Sequence, residues 1–480
     1  MQRAVLAAPN TNYYSACAAT LWRNAAYYTS MRPYPSIPHL RGHYFSGGRL
    51  SYLQNNGFVK NMREAAALGG MCTFWVESKL TILITDPELV YQYKTFGQTN
   101  FTDSHIPNLD QVLGPSATNH KHLNTRRIYH HALSGRSLAR IEESVSNVGD
   151  AKIAALNNDD NPGIKNAGRY FRELMFDLAL NLFMGVKTAD LAKDDYDNII
   201  AYIDKLFTGN DKDYLLYILN LKEIPKDDTD LERRLNEFKK NMAREFKELI
   251  LDKYNIDSDS VFYKIWTETK EYNDDDEYTP ENVFPEAFFF LVGGPVSSLG
   301  DSFTIVLQLI CQHEDVHNKL SELLATNNEE ALIYLDQIIK EAFRLHPPVA
   351  VLPAHTVKED FILNGITIKT GDNIVISPLV NHCDPAYWPQ PERFNPDRFA
   401  ANANIPRGTY FPFGLGDRGC PGSQYGLLVL KTLIAKLFRN FDVKIKKDST
   451  LQHLGPTTVT ANLDVQLNKR NHNLTKSFKR

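Results

Sequence analysis

The sequence predicts an α+β fold that is mainly α with smaller β-sheets, and three observations carry that reading. Between Leu138 and Tyr334 apolar residues recur at helical spacing. Strand-like runs sit towards the two ends of the chain, without the strand–helix alternation of a doubly wound sheet. Composition is that of an ordinary folded protein: 480 residues, 43% hydrophobic, 11% aromatic and 23% charged. Such a balance excludes a disordered, collagenous or repeat-biased chain.

The elements follow in order. Residues 71–76 and 80–84 read as a short strand pair, and Asp86-Pro87 opens a helix after it. Leu231, Leu235, Phe238, Met242, Phe246 and Leu249 recur at steps of four and three, with charged residues on the other face, an amphipathic helix on a core. An acidic loop at 271–277 precedes Thr279-Pro280, an N-cap and first-turn proline, with Pro285 as a later start. The next helix runs through 288–292 to Gln312, apolar almost all round and therefore central. Residues 361–363 and 366–368 flank Asn364-Gly365, a hairpin signal, and 374–377 is expected to extend that sheet. Pro385, Pro389, Pro391 and Pro396 argue against regular structure over 384–399. A glycine-rich loop, 414–422, leads into a last apolar helix from about Ser423 to Phe438.

Charge and cysteine usage bound the partners. Lys plus Arg is 53 against 57 Asp plus Glu, a net charge of −4, so the balance implies no nucleic-acid partner. Five cysteines are too few, and odd in number, for a disulfide scaffold, and a reducing, cytoplasmic setting is expected. No run reaches the ~18 apolar residues of a transmembrane helix. Residues 13–28 combine aromatics and alanines around Arg23, which suits either peripheral contact with a membrane surface or packing on the body.

The most informative run is Phe411-Pro412-Phe413-Gly414-Leu415-Gly416-Asp417-Arg418-Gly419-Cys420-Pro421-Gly422. One cysteine stands among glycines directly before a helix N-terminus, where backbone N–H groups and the helix dipole favour a thiolate. Glycines let the backbone approach a flat ligand, and a thiolate so held suits an axial bond to iron. The loop resembles the haem-ligating motif of the cytochrome P450 superfamily at Phe413, Gly416, Arg418, Cys420 and Gly422. The resemblance covers most of the chain, from about Pro33 to Val465. It implies a P450-like fold around a buried haem b, with Cys420 as the proximal iron ligand and Arg418 on a haem propionate. On this reading residues 33–480 form one catalytic domain and 1–32 an N-terminal segment, although length alone, at ~100–200 residues per domain, would suggest several.

Further matches accompany the loop. Glu341 and Arg344 stand at i and i+3 on a helix halted by Pro347-Pro348, and resemble the family's Glu-x-x-Arg pair. Pro391-Glu392-Arg393-Phe394 resembles the stretch that supplies the third partner, so Arg393 is expected to join them in a buried structural network. His122 and Arg126, at i and i+4, resemble the family's propionate-binding pair. His355 occupies the place of another propionate-binding arginine, keeping a donor but losing the bidentate fork.

The central helix departs from the family's acid-then-threonine pattern. Alignment on Val292-Gly293-Gly294 puts Ser297 at the alcohol and Val296 at the acid, whereas counting back from Gln312-His313 puts Ser298 at the alcohol and Ser297 at the acid. Both registers keep an alcohol and lose the carboxylate. Asp301 reads as a helix-surface residue, with a displaced relay acid as the other reading, and Pro295 should kink the helix.

These features imply a haem-thiolate monooxygenase that inserts one oxygen atom from dioxygen into a hydrophobic small molecule, with a ferredoxin or flavoprotein reductase as electron donor. The missing acid and Pro295 also resemble members that work without a redox partner: a peroxygenase, isomerase or dehydratase. A non-catalytic haem protein is the third reading. Residues 103–114, 205–221 and 457–462 are expected to line the substrate cavity, and Lys121, Arg126, Arg127 and Lys431 to form a positive face for an acidic donor.

Overall fold

Alternating apolar residues pair β1 (Met71–Val76) with β2 (Lys79–Ile84), antiparallel with Met71 opposite Ile84. The computed structural model describes residues 34–38, 62–96, 130–208, 244, 248, 253–263, 292–447 and 449–470, with a few interior positions excepted, among them 77–78, 353–354 and 417–418. Asp86 caps α1 (Pro87–Phe96), its carboxylate accepting the N–H groups of Glu88 and Leu89 at 2.9 and 3.0 Å. The predicted amphipathic helix at 231–249, the acidic loop and the Thr279-Pro280 cap lie almost wholly outside the described residues.

The helical body begins with α2 (Ser137–Asn157), followed by the two-residue β3 (Gly163–Ile164) and α3 (Ala167–Ala179). Asn166 caps α3 by accepting Arg169 N–H at 3.2 Å, and the helix widens into a π-helical turn, Leu180–Met184, that Gly185 stops at φ 70°. Then comes α4 (Lys193–Thr208). The central helix is α5 (Gly300–Gln312), and every residue from Gly300 to Ile310 is buried. Burial of side chains such as Phe303, Ile305 and Leu307 is worth roughly 1.5–3 kcal/mol each relative to exposure. Its first turns are π-helical, Val292–Leu299, and contain Pro295, which lacks the N–H of a regular helical bond. Gly294–Gln312 has the length and apolarity of a membrane span, but it is mostly buried within the protein, as a core helix is.

An extended His313 separates α5 from α6 (Glu314–Thr326), and Asn327 caps α7 (Asn328–Leu345) by accepting Glu329 and Glu330 N–H groups. β4 (His355–Thr356), β5 (Phe361–Leu363), β6 (Ile366–Ile368) and β7 (Asn373–Ile376) follow. The β5–β6 hairpin turns on Asn364 and Gly365, both left-handed at φ 49° and 74°. β7 does not extend that hairpin. It lies parallel beside β2 in a four-stranded sheet of order β1-β2-β7-β4. The reason is burial: Ile374, Val375 and Ile376 are all buried, as an internal parallel strand requires, whereas Ile362 of the hairpin is 66% exposed.

The last apolar helix, α8 (Ser423–Asn440), packs along α2 and α7. After α8 the described residues form β8 (Phe441–Lys447), β9 (Leu451–Leu454), β10 (Thr457–Thr460) and β11 (Asp464–Lys469), with sheet order β3-β11-β8 and a separate β9–β10 hairpin. One apolar cluster joins α2, α3, α5, α7 and α8, and a second joins the four-stranded sheet and α1 to Phe411 and Leu415 of the cysteine loop.

Candidate active site at the cysteine loop

Cys420 sits in a loop whose described residues fold it on itself by backbone bonds. Gly414 N–H donates to Phe411 O at 3.0 Å, Gly419 N–H to Gly416 O at 2.9 Å and Cys420 N–H to Phe413 O at 2.6 Å. Gly414 and Gly416 hold φ of 77° and 61°, so glycine is required at both turns. The Phe413 ring meets Phe343 of α7 edge-on at 5.8 Å. Cys420 is exposed, whereas Cys72 is buried and Cys311 and Cys383 are half-buried. Burial pushes the Cys72 and Cys311 thiols up to about 12 and the Cys383 thiol to about 11, which keeps them inert.

The donor set suits a flat, iron-bearing ligand. Cys420 is exposed just before α8, and a Cβ on Gly422 would stand 3.8 Å from its Sγ. The same Cβ position lies 3.9 Å from Leu133, and Gly135 N–H points to Gln424 Oε1 at 3.5 Å. The stretch just after His122 and Arg126 therefore touches the start of α8, while His122, Arg126 and Arg418 themselves lie outside the described residues. One turn further along α8, Leu299, at the end of the π-helical turns, approaches Gly426 to 3.7 Å of its Cβ position. Ser297 and Ser298 are half-buried in those turns, and the Ser298 carbonyl accepts the Ser302 hydroxyl.

Asp301 is not a surface residue. It is buried and pairs at 3.0 Å with Arg172 of α3. Burial pushes its carboxyl up to about 6, against the opposing pull of Arg172. The helices approach closely here because Gly300 has no side chain.

His355 lies on β4 opposite Ile374, its ring stacked on Tyr93 of α1 at 5.6 Å with the Tyr93 hydroxyl at Nδ1. Lys431, expected on a positive face, is paired with Asp336 at 3.2 Å, and Lys340 holds the same carboxylate at 2.7 Å. Lys121 and Arg127 lie outside the described residues.

Glu341 and Arg344 form a fully buried two-pronged pair, Nε to Oε2 at 2.7 Å and Nη2 to Oε1 at 2.8 Å. Arg344 also donates to the carbonyls of His382 at 3.0 Å and Arg393 at 3.2 Å, and lies over the Trp388 ring. The expected third partner, Arg393, enters only through that carbonyl, and its guanidinium lies at exposed Gln390. The arginine side chain that reaches Glu341 is Arg398, at 3.4 Å and 13% exposed. Asn395-Pro396 explains the substitution: Asn395 N–H donates to Glu341 at 2.9 Å, and the 3₁₀ turn Pro396–Phe399 aims Arg398 inward. Arg398-Phe399 repeats the Arg-Phe pattern of Arg393-Phe394, and that repeat was the available signal. The sequence reading also passed over Arg172 and His382.

A model of the cytochrome P450 family matches residues 37–467. The chain belongs to the cytochrome P450 family. Among curated relatives it is 27% identical over 329 residues to cytochrome P450 3A16 of Mus musculus, covering 64% of this chain and 58% of that protein. It is 31% identical over 245 residues to cytochrome P450 3A5 of Homo sapiens, covering 48% and 47%. A tabersonine/lochnericine 19-hydroxylase of Catharanthus roseus is 32% identical over 137 residues, 28% of this chain and 27% of that one. The matched part of the chain thus spans between about a quarter and three-fifths of these relatives' lengths. The cofactor of a cytochrome P450 is haem, and the exposed Cys420 thiol in its glycine turns is a donor of the kind such a group takes.

Proposed function

We propose that this cytochrome P450 is a haem-thiolate monooxygenase acting on a hydrophobic small molecule, with haem b as its group and electrons drawn from a ferredoxin or flavoprotein reductase. The observation that carries the reading is the exposed Cys420 in its glycine turns just before α8, a helix that the π-helical turns bearing Ser297 and Ser298 approach where Leu299 meets Gly426. The hydroxylase among its relatives supports it. Cys420 Sγ would hold the iron, with Phe413, Gly416 and Gly422 shaping the bed around it. Arg418, His122, Arg126 and His355 would hold the propionates. When bound, the haem supplies the electron transfer and oxygen chemistry. The chain's own part is to bind, orient and deliver protons. The Ser297 or Ser298 hydroxyl would hold a proton beside the bound group, at the entry to the buried α5.

One observation favours a second reading. Val292–Leu299 contains Pro295 and no carboxylate, so proton delivery for dioxygen is reduced, which suits a peroxide-using or partner-independent enzyme. Turnover with a reductase and dioxygen, set against turnover with peroxide alone, separates the two. The cofactor is tested first. Reduced wild type under carbon monoxide should show the strongly red-shifted band of thiolate-ligated haem, and Cys420→Ala should abolish it. A wild-type band like that of histidine-ligated haem overturns the assignment.

A further inference from the structure

His382 is completely buried, and both of its ring nitrogens are engaged by backbone. Phe411 N–H points to Nε2 at 2.9 Å. That N–H can only donate, so Nε2 carries no proton. The proton therefore sits on Nδ1, which faces the Phe343 carbonyl at 3.3 Å. An imidazolium would set one N–H against another. Burial, seconded by the neighbouring Arg344 charge, pushes the ring's pKa down to about 3.

The two backbone partners belong to different parts of the site. Phe343 lies in α7 between Glu341 and Arg344, and Arg344 donates to the His382 carbonyl at 3.0 Å. Phe411 is the root of the cysteine loop, since its carbonyl accepts Gly414 N–H and the Phe413 carbonyl accepts Cys420 N–H. The rings of Tyr410 and Phe411, 5.0 and 5.1 Å away, leave the imidazole no room to swing. We propose that His382 is a positioning residue for the Cys420 thiolate, a neutral ring that ties the root of the cysteine loop to α7. The proposal rests on Cys420 being the axial ligand.

The test compares wild type, His382→Gln and His382→Leu as haem-loaded proteins, reduced under carbon monoxide and warmed. Helix content is followed by far-ultraviolet circular dichroism beside the absorption band. Glutamine offers one acceptor and one donor and should keep both the thiolate band and the wild-type rate of its loss. Leucine keeps the bulk without the bonds. It should lose the thiolate band about tenfold faster or more, as loss of a buried hydrogen bond implies, while helix content persists. A leucine variant with wild-type band and rate overturns the proposal, and so does one that loses band and helix together, which is a general structural effect. If His382→Leu yields no folded protein, the tautomer decides: in ¹⁵N-histidine-labelled wild type, His382 should be Nδ1–H with an acceptor Nε2 down to about pH 5, and an Nε2–H form overturns the clamp. A wild type without the red-shifted band overturns the Cys420 assignment and the clamp's role with it. A normal wild type with an indifferent leucine variant overturns the clamp alone.

Discussion

Glu341 divides its two oxygens among three residues on two segments of chain. Arg344 takes both, Asn395 N–H adds a bond to Oε1, and Arg398 stands beside that same oxygen. Glu341→Ala leaves the Arg344 guanidinium buried without its carboxylate, and should cost about 3–5 kcal/mol in urea unfolding. Arg393→Ala removes an exposed side chain and keeps the carbonyl that Arg344 uses, so it should fall within about 0.5 kcal/mol of wild type. Arg398→Ala should fall clearly outside that range, because its guanidinium, unlike that of Arg393, lies at Glu341. The Glu341–Arg344 pair was legible because i, i+3 is a local relation. The choice between Arg393 and Arg398 was not, because both follow prolines and precede phenylalanines, and only the path of 384–399 distinguishes them. Asp301 adds a pH dependence. Its folded carboxyl is pushed up to about 6 from the ordinary 3.8, so the folded state holds the proton more tightly than the unfolded chain. The associated stability is fully present below 3.8 and is lost as pH rises through 6. Urea midpoints of wild type should therefore fall relative to those of Asp301→Asn between these pH values. His382 works in the opposite sense, losing stability as pH falls below its ordinary value of 6.5 towards 3. The single-variant differences keep the two apart.

At the scale of elements, the junction between the π-helical turns and α5 is set by what packs there. A Cβ on Gly300 would stand 2.8 Å from Arg172 Cγ and 3.1 Å from Arg172 N and Cα. The side-chain atom can move, but the backbone of α3 cannot without separating the helices. Gly300→Ala should thus cost about 1–3 kcal/mol by overpacking. Gly294, earlier in the same turns, meets nothing within 4 Å, so Gly294→Ala should be neutral or stabilising by up to about 1 kcal/mol. Comparing the two urea midpoints checks that helix contact, and not glycine as such, is responsible. The hairpin at 361–368 was legible because Asn-Gly dictates its own turn. The place of β7 was not, since an apolar run of three, Ile374–Ile376, does not say which sheet will bury it.

For the whole molecule, the decisive fact is that distant segments meet at one loop. The sheet and α1 reach it through Phe411 and Leu415, α7 through Phe343 and His382, and the stretch before α2 through Leu133. A group bound there joins all of them, so haem removal should destabilise every one of these parts together. If haem is held at about a thousand times its dissociation constant, its loss should lower stability by roughly 4 kcal/mol, read as a lower unfolding midpoint in haem-free protein. Re-addition of haem should restore the midpoint, and a midpoint indifferent to haem would show that the loop is built without it.

What the sequence determined by itself were the features whose physics is local: the glycine turns around Cys420, the helices bearing Glu341 and Ser423, the Asn-Gly hairpin and the proline in the central helix. Each depends on residues within one or two turns of each other, where propensity and side-chain spacing act directly. Only the tertiary structure decided that Arg398 and not Arg393 reaches Glu341, that β7 lies beside β2, that Asp301 is buried against Arg172, and that His382 joins α7 to the cysteine loop. Those are meetings between residues far apart in the chain, and burial, which selects the partner in every case, exists only once the chain has folded.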